Sequence, residues 1–247
     1  TFRQLTAKLH KLDVDNIIAT RGGDELLRLV ITTFVDPGKP IGVTDPTYSL
    51  YSVLAEIQDC PLVEVGLLDD WGLPDNFADT MNSSGVKLTL LVNPHAPSGA
   101  LLPIQTIREL ANQLDSILLL DEAYIDFVEE EFDTPSLVQD HHNLIILRTL
   151  SKGYSLAGLR FGYGIAAPQL IEPMLTKTKD SYNLDLLSQR IAEAAISDQV
   201  SAERSWQLVI QERHRLQAEL AKLGMNSPAS QTNFLLVSSP VDAEQLY

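Results

Sequence analysis

The chain has 247 residues, of which 45% are hydrophobic and 21% are charged, as in ordinary globular proteins. Its formal net charge of −15 disfavours binding to nucleic-acid backbones, and its single cysteine, Cys60, excludes an internal disulfide and a thiolate zinc site. No apolar run reaches the ~20 residues needed to cross a bilayer. The first residues lack the apolar stretch of a signal peptide and are typical of an amphipathic helix, so we expect a cytoplasmic protein.

Short apolar segments alternate with helical patterns along most of the chain. Seven of these segments are predicted strands: Asn16–Thr20, Ile41–Thr44, Leu62–Val65, Leu88–Asn93, Ile117–Asp121, Leu144–Thr149 and Phe161–Ile165. Several are apolar at successive positions, which is typical of strands that are buried on both faces. The alternation therefore predicts an α/β fold with a mostly parallel, seven-stranded sheet covered by helices.

Helical periodicity fills the segments between the strands and dominates the last third of the chain. The predicted helices are Glu25–Phe34, Tyr48–Ile57, Ile104–Leu114, Pro168–Leu175, Leu184–Ser197 and Ala202–Leu223. Gly224 is typical of a residue that follows a helix end. The polar segment Met225–Thr232 then leads to a predicted strand, Asn233–Val237. We therefore expect a large domain over residues 1–224 and the incomplete beginning of a small α+β C-terminal domain over residues 225–247.

Polar residues follow several strands, at the sheet edge where open α/β sheets bind ligands. After the first strand, Arg21–Glu25 contains two glycines and begins a helix whose N–H groups could bind an anion, or it is a tight turn capped by Asp24. Tyr48 could lie against a flat ring or be a packed aromatic residue. After the fourth strand, Asn93–Gly99 predicts a rigid proline turn, in which His95 is best explained by packing.

The segment Asp121–Tyr124 places two acidic residues directly after a buried strand. A carboxylate in this position is costly unless it has a partner, which could be a metal, a cationic ring nitrogen or an arginine. A helix cap or a structural salt bridge would also explain it. The Asp-Glu pair resembles the acidic segment of nucleotide hydrolases, but these proteins also need a G-x-x-x-x-G-K-[ST] loop, which the chain lacks.

The segment Arg148–Gly153 and the following Ala157–Arg160 bring two hydroxyls, a lysine and an arginine to the end of the sixth strand. Lys152 would become a nucleophile if desolvation or a nearby cation lowered its pKa. Arg160 could supply that cation and could also bind a phosphate with its planar guanidinium. A solvated loop lysine is the alternative interpretation of Lys152.

Together these segments resemble the fold-type I enzymes that depend on pyridoxal phosphate (PLP), and within them the histidinol-phosphate aminotransferases. The resemblance rests on motifs that occur between about residues 16 and 237 in the order and spacing of the family: Gly22–Glu25, Asp45–Tyr48, Asn93–Gly99, Asp121–Tyr124, and Thr149–Lys152 with Ala157–Arg160. Two segments, Ala157–Arg160 and Ser181–Leu184, favour the histidinol-phosphate branch.

The resemblance implies a role for each matching residue. Lys152 would bind PLP covalently and then carry a proton between substrate and cofactor, Asp121 would pair with the pyridinium nitrogen, and Tyr124 would hydrogen-bond the 3-oxygen of the ring. Tyr182 and Asn183 would lie near the substrate, and no metal is expected. The implied cofactor-binding set is Gly23, Asp24, Tyr48, Asp121, Tyr124, Thr149, Ser151, Lys152 and Arg160.

The implied reaction transfers the amino group of histidinol phosphate to 2-oxoglutarate, which gives imidazole acetol phosphate and glutamate in histidine biosynthesis. Aromatic aminotransferases and threonine-phosphate decarboxylases share these motifs, and a non-catalytic PLP-binding module is a further alternative. The resemblance also implies a homodimer. The chain departs from the family at Ala96, where an asparagine usually contacts the 3-oxygen of the ring. Two family features would lie outside residues 1–247: an N-terminal tyrosine that reaches the neighbouring subunit and a C-terminal arginine that binds the substrate carboxylate.

Overall fold

A single sheet forms the centre of the computed structural model, which describes residues 1–246. Its strands are β1 (Ile17–Thr20), β2 (Ile41–Asp45), β3 (Leu62–Gly66), β4 (Leu88–Val92), β5 (Ile117–Asp121), β6 (Leu144–Thr149) and β7 (Gly162–Ala166). They lie in the order β1-β7-β6-β5-β4-β2-β3. Only β7 runs antiparallel to its neighbours, β1 and β6. The predicted α/β fold with a mostly parallel, seven-stranded sheet is confirmed, and each predicted strand differs from the observed one by at most one residue at either end.

Helices cover both faces of this sheet. They are α1 (Phe2–His10), α2 (Gly22–Phe34), α3 (Leu50–Ile57), α4 (Phe77–Ser83), α5 (Ile104–Gln113), α6 (Pro168–Pro173), α7 (Leu186–Ser197), α8 (Gln199–Lys222) and α9 (Ala243–Leu246). Sequence periodicity missed α4 because its seven residues are too few to show a helical repeat. Within the described part of the chain, no helix has both the length and the apolar character to cross a membrane.

The core consists of two apolar clusters, one on each face of the sheet. Successive residues of a strand point to opposite faces, so Leu118 and Leu120 of β5 enter one cluster while Leu119 enters the other. The cluster that contains Leu119 also holds buried residues of α2 and α3. The same alternation places Asp121, the last residue of β5, and the following Glu122 on opposite faces of the sheet. It therefore decides which of the two acidic side chains reaches the site described below.

The predicted strand Asn233–Val237 is wrong. Only an isolated bridge between Asn226 and Ser238 forms near it. The pattern of apolar residues is strand-like, but among residues 1–246 the segment has no neighbouring strand with which to form a ladder. Instead, the chain just before this segment folds back onto the proline turn after β4, where the Gln231 N–H donates to the Gly99 carbonyl at 2.8 Å. The division at residue 224 into a large and a small domain stays a prediction.

Candidate active site

A cavity of about 180 Å³ opens at the carboxyl ends of β5 and β6, beside the first turn of α2. It is lined by every residue of the cofactor-binding set: Gly23, Asp24, Tyr48, Asp121, Tyr124, Thr149, Ser151, Lys152 and Arg160. The lysine, the carboxylate and the guanidinium therefore share one cavity although they are far apart in sequence. Ala96 also lines this cavity.

Asp121 is the buried acidic group of the cavity, with 5% of its surface exposed. The Tyr51 hydroxyl donates to its Oδ2 at 2.9 Å, and the Ala123 N–H donates to its Oδ1 at 3.0 Å. Burial raises the pKa of Asp121 to about 6, although both hydrogen bonds oppose this shift. Among the described residues no lysine, arginine or histidine forms an ion pair with it. A cationic ligand in the cavity would supply the missing charge.

Tyr51 was missed by the sequence prediction. Its side chain is completely buried, and its ring packs edge-on against Tyr48 with 5.6 Å between ring centroids. The signal that could have found it is helical spacing, since Tyr51 lies three residues after Tyr48 at the start of α3 and thus near the same face. Tyr51 orients the Asp121 carboxylate, while Tyr48, with 40% of its surface exposed, borders the cavity.

The opposite end of the cavity collects groups that bind anions. Arg160 Nη2 lies 2.9 Å from Asp24 Oδ2, and Thr149 Oγ1 donates to Ser151 Oγ at 2.9 Å. The first turn of α2 adds N–H groups that have no acceptor within the helix. Gly22 has a φ of 77°, which favours glycine, and a Cβ there would fall 2.8 Å from Arg160 Nη2, so a side chain at this position would push the guanidinium away from the start of the helix. These groups fit a phosphate.

Lys152 lies on the turn after β6, between the two ends of the cavity. Its Nζ is 5.4 Å from the centroid of the Tyr124 ring. Burial raises the pKa of Tyr124, and the charge of Asp121 acts in the same direction, so its hydroxyl is protonated at neutral pH. Phe234 packs edge-on against Tyr124 at 5.0 Å, and the C-terminal segment thereby supports this wall of the cavity.

The proline turn Asn93–Gly99 contributes Ala96 but not the neighbouring histidine. His95 Nδ1 pairs with Ser98 Oγ at 2.8 Å, and its Nε2 lies 3.0 Å from the Pro46 carbonyl oxygen. Burial lowers the pKa of His95. Because both ring nitrogens are already paired, His95 is a packed turn residue, as its sequence context indicated.

The two residues that were expected near the substrate lie outside the cavity. Tyr182 has 93% of its surface exposed to solvent. Asn183 lies beside β1, where its Nδ2 donates to Glu25 Oε2 at 3.0 Å and to the Ala19 carbonyl at 3.3 Å. The structure does not bring either side chain to Lys152, and their role in substrate binding stays a prediction.

Glu122 belongs to the other face of the sheet. Its Oε2 accepts from Arg148 Nε at 2.8 Å, and its Oε1 accepts from the Thr134 hydroxyl. A structural salt bridge was one of the explanations that the sequence left open for the acidic pair Asp121-Glu122. Of these two residues, the structure shows such a salt bridge for Glu122 alone. Residues 1–246 contain no group of three or more His, Cys, Asp or Glu side chains that could hold a metal ion. The interpretation as a nucleotide hydrolase has no support from this geometry.

The donor set of the cavity fits PLP. A buried carboxylate that lacks a cation suits a protonated ring nitrogen, the cradle at Gly22 suits a phosphate, and a lysine lies between them. A buried carboxylate, a lysine and anion-binding groups that line one cavity suit a flat, phosphorylated, cationic ring better than a metal or a nucleotide.

Comparisons with known proteins agree with this geometry. The family model for class I and II aminotransferases matches residues 1–247. "Histidinol-phosphate aminotransferase 1" of Nostoc sp. is 40% identical over 247 residues, which cover 100% of this chain and 68% of the relative. A histidinol-phosphate aminotransferase from Sinorhizobium meliloti, solved in complex with pyridoxal-5'-phosphate, superposes with a TM-score of 0.92 at 26% identity, over 98% of this chain and 67% of that one. An L-threonine-O-3-phosphate decarboxylase from Porphyromonas gingivalis (TM-score 0.82, 22% identity, 98% and 72% coverage) shares the fold. The chain belongs to the class I and II aminotransferases.

Proposed function

We propose that this protein is a PLP-dependent aminotransferase that transfers the amino group of histidinol phosphate to 2-oxoglutarate, which yields imidazole acetol phosphate and glutamate in histidine biosynthesis. The observation that carries the proposal is the single cavity shared by Lys152, Asp121 and Arg160. The 40% identity with the Nostoc relative supports the choice of amino donor. The threonine-phosphate decarboxylase neighbour supports the fold alone at 22% identity.

The residues of the cavity divide into two groups toward the cofactor. Asp121 would hold the ring nitrogen, with Tyr48 beside the ring and Tyr124 near its 3-oxygen. The phosphate would be bound by a set of donors at the other end, which are Arg160, Thr149, Ser151 and the N–H groups of Gly23 and Asp24. When bound, PLP supplies an electron sink that stabilises negative charge at the substrate α-carbon.

The ionisable residues of the chain provide the acid–base chemistry. Lys152 would hold the cofactor through its ε-amine and would carry the proton that leaves the substrate α-carbon to the cofactor, which is the transfer that turns an amino donor into an oxo acid. Asp121 would keep the ring nitrogen protonated, since a buried carboxylate and a cation favour each other's charged forms. Tyr51 would hold the carboxylate in place through its 2.9 Å hydrogen bond.

Half-reactions with single amino donors test the proposal. The visible absorbance of the purified protein with PLP should convert to that of the pyridoxamine form on addition of histidinol phosphate or glutamate, and less rapidly with phenylalanine. Release of carbon dioxide from threonine phosphate would instead indicate the decarboxylase. Covalently bound PLP that no amino donor converts would indicate a non-catalytic binding module.

We also propose that the protein works as a cytoplasmic homodimer. An exposed apolar patch surrounds the beginning of α7 and consists of Tyr182, Leu186, Leu187 and Ile191, with 93%, 68%, 74% and 46% of their surfaces exposed. Large apolar side chains that are this exposed and this close in sequence favour burial against another protein. Sedimentation analysis should give a dimer for the wild type and a shift toward the monomer for Leu187→Glu. The soluble metabolites of the proposed reaction support the proposed cytoplasmic location, and cell fractionation tests it.

A further inference from the structure

The backbone that carries Lys152 is anchored on its C-terminal side at Gly153. Gly153 is buried, and a Cβ at this position would lie 2.2 Å from Asp126 Oδ2, so no side chain fits there. The turn closes through a hydrogen bond from the Ser155 N–H to the Lys152 carbonyl at 3.0 Å and another from the Leu156 N–H to the Leu150 carbonyl at 3.0 Å. The position of the Lys152 side chain thus depends on how the next peptide is held.

A tryptophan of α8 holds that peptide. Trp206 Nε1 donates to the Gly153 carbonyl at 2.8 Å, across 53 positions in sequence. The bond joins the catalytic turn to the long helix that follows the sheet. The indole N–H is the only hydrogen-bonding group of a tryptophan side chain. Its acceptor here is the carbonyl of Gly153, the residue next to Lys152.

The tryptophan ring is itself fixed by its neighbours. Tyr154 packs edge-on against Trp206, with 5.6 Å between centroids and an interplanar angle of 83°. The Tyr154 hydroxyl accepts a hydrogen bond from Gln199 Nε2 at 3.0 Å, at the first residue of α8. The edge-on contact with the Tyr154 ring, rather than the hydrogen bond of its hydroxyl, fixes the direction from which the indole N–H meets the Gly153 carbonyl.

We propose that Trp206 is a positioning residue for Lys152, an inference that rests on the proposed function. Its hydrogen bond fixes the Gly153 peptide and so limits the directions from which the Lys152 amine reaches the cofactor. Reactions that depend on alignment lose rate steeply when a reacting group is displaced by a fraction of an ångström. Trp206 is not among the residues that line the cavity, so its loss should affect the steps of Lys152 and leave the affinity for substrate unchanged.

The test compares Trp206→Phe with Tyr154→Phe. Both variants remove a polar group from the same packed region, but only Trp206→Phe removes the donor to Gly153, whereas Tyr154→Phe removes only the hydrogen bonds of its hydroxyl with Gln199 and keeps the ring that packs on Trp206. We expect Trp206→Phe to slow covalent attachment of PLP, followed by its visible absorbance, and to lower kcat by about five- to tenfold with KM unchanged, the factor given by one net hydrogen bond. Tyr154→Phe should match it in melting temperature but keep the wild-type attachment rate. Trp206→His, which retains a ring N–H, should recover part of the rate.

A second measurement needs no change at Trp206. In Trp71→Phe, the remaining indole N–H signal belongs to Trp206, since the chain has two tryptophans. This signal should shift when PLP is attached to Lys152 and fixed by borohydride, and an unchanged signal would contradict the proposal. Equal attachment rates in Trp206→Phe and Tyr154→Phe would overturn it and leave the proposed function intact. Absence of PLP on Lys152 of the wild type, detected by mass spectrometry after reduction, would instead refute the proposed function.

Discussion

Two acidic residues that are neighbours in sequence have different hydrogen-bond and ion-pair partners on the two faces of the sheet. On the cavity face, Asp121 has two neutral hydrogen-bond donors and a pKa raised to about 6 by burial. On the other face, Glu122 has an arginine at 2.8 Å, and its side chain is completely buried. Both carboxylates are removed from water, but within the described part of the chain only Glu122 of these two has a cationic side chain as its ion-pair partner.

This difference separates a carboxylate that serves a ligand from one that serves the scaffold. A buried charge without an internal partner is costly, so a protein keeps one where a ligand supplies the opposite charge. The pairing with Arg148 instead fixes β5 against β6 on the face away from the cavity. The comparison predicts that changes on the cavity face abolish chemistry, whereas changes on the other face weaken the fold.

The largest expected effect on the cavity face comes from Lys152→Ala. Removal of the amine should abolish covalent attachment of PLP and reduce transamination to the detection limit, because no other lysine lines the cavity. Mass spectrometry after borohydride reduction and the half-reaction with glutamate measure both losses. Lys177→Ala, at an exposed position, is the matched control and should behave as wild type. Labelling that persists in Lys152→Ala would assign the role to another lysine.

Asp121→Asn is expected to come next in size. The amide keeps the shape of the side chain but cannot hold the ring nitrogen in its charged form, so PLP should still bind through Lys152 and the phosphate-binding groups. Loss of this electrostatic support should lower kcat by at least about a hundredfold. Stopped-flow absorbance of the half-reaction measures the change. A kcat within threefold of the wild type would show that Asp121 does not serve the ring.

Glu122→Gln probes the opposite face. The change leaves Arg148 buried without its carboxylate, so the free energy of unfolding should fall by about 3–5 kcal/mol. The Arg148 side chain is only 14% exposed, so water replaces the lost partner poorly. Urea denaturation measures the loss, and kcat of the folded fraction should stay near the wild-type value. A large drop in kcat without a loss of stability would contradict the separation of the two faces.

Much of this contrast could be read from the sequence, but not all of it. Apolar runs predicted every strand of the sheet, and all nine residues of the predicted cofactor-binding set line one cavity. The sequence prediction treated Asp121 and Glu122 as a pair, although side-chain alternation along a strand is a general reason for such neighbours to diverge. It did not say which face binds the ligand, because that depends on where Arg148 and Tyr51 lie in space.

The features that the sequence analysis missed or predicted wrongly have a common physical cause. Each depends on a partner that is distant in sequence. Tyr51 finds Asp121 across 70 positions in sequence, and Trp206 finds Gly153 across 53. The apolar pattern of Asn233–Val237 predicted a strand, but a strand needs a neighbour to accept its hydrogen bonds, and the local pattern carries no information about that neighbour.

The smallest expected effect is a pH dependence of stability in the cofactor-free protein. Asp121 has a folded pKa of about 6 against an ordinary value of 3.8, so the folded state binds its proton more tightly than the unfolded state does. Its contribution to stability is therefore complete below about pH 4 and is lost as the pH rises through 6. The shift corresponds to about 2–3 kcal/mol.

The measurement is the difference in unfolding free energy between wild type and Asp121→Asn from pH 4 to pH 8. The difference between the two proteins is needed because two other groups also bind protons with different affinity in the folded and unfolded states. Burial lowers the pKa of His10 to about 3, and burial raises the pKa of Asp126 to about 7. Asp121→Asn should become progressively more stable than the wild type as the pH rises, and bound PLP should remove this advantage because its ring supplies the cation that the carboxylate lacks. If the difference does not change with pH, the pKa of Asp121 is not raised in the cofactor-free protein. If the stability of Asp121→Asn itself still changes with a midpoint nearer pH 7, the titrating group is Asp126.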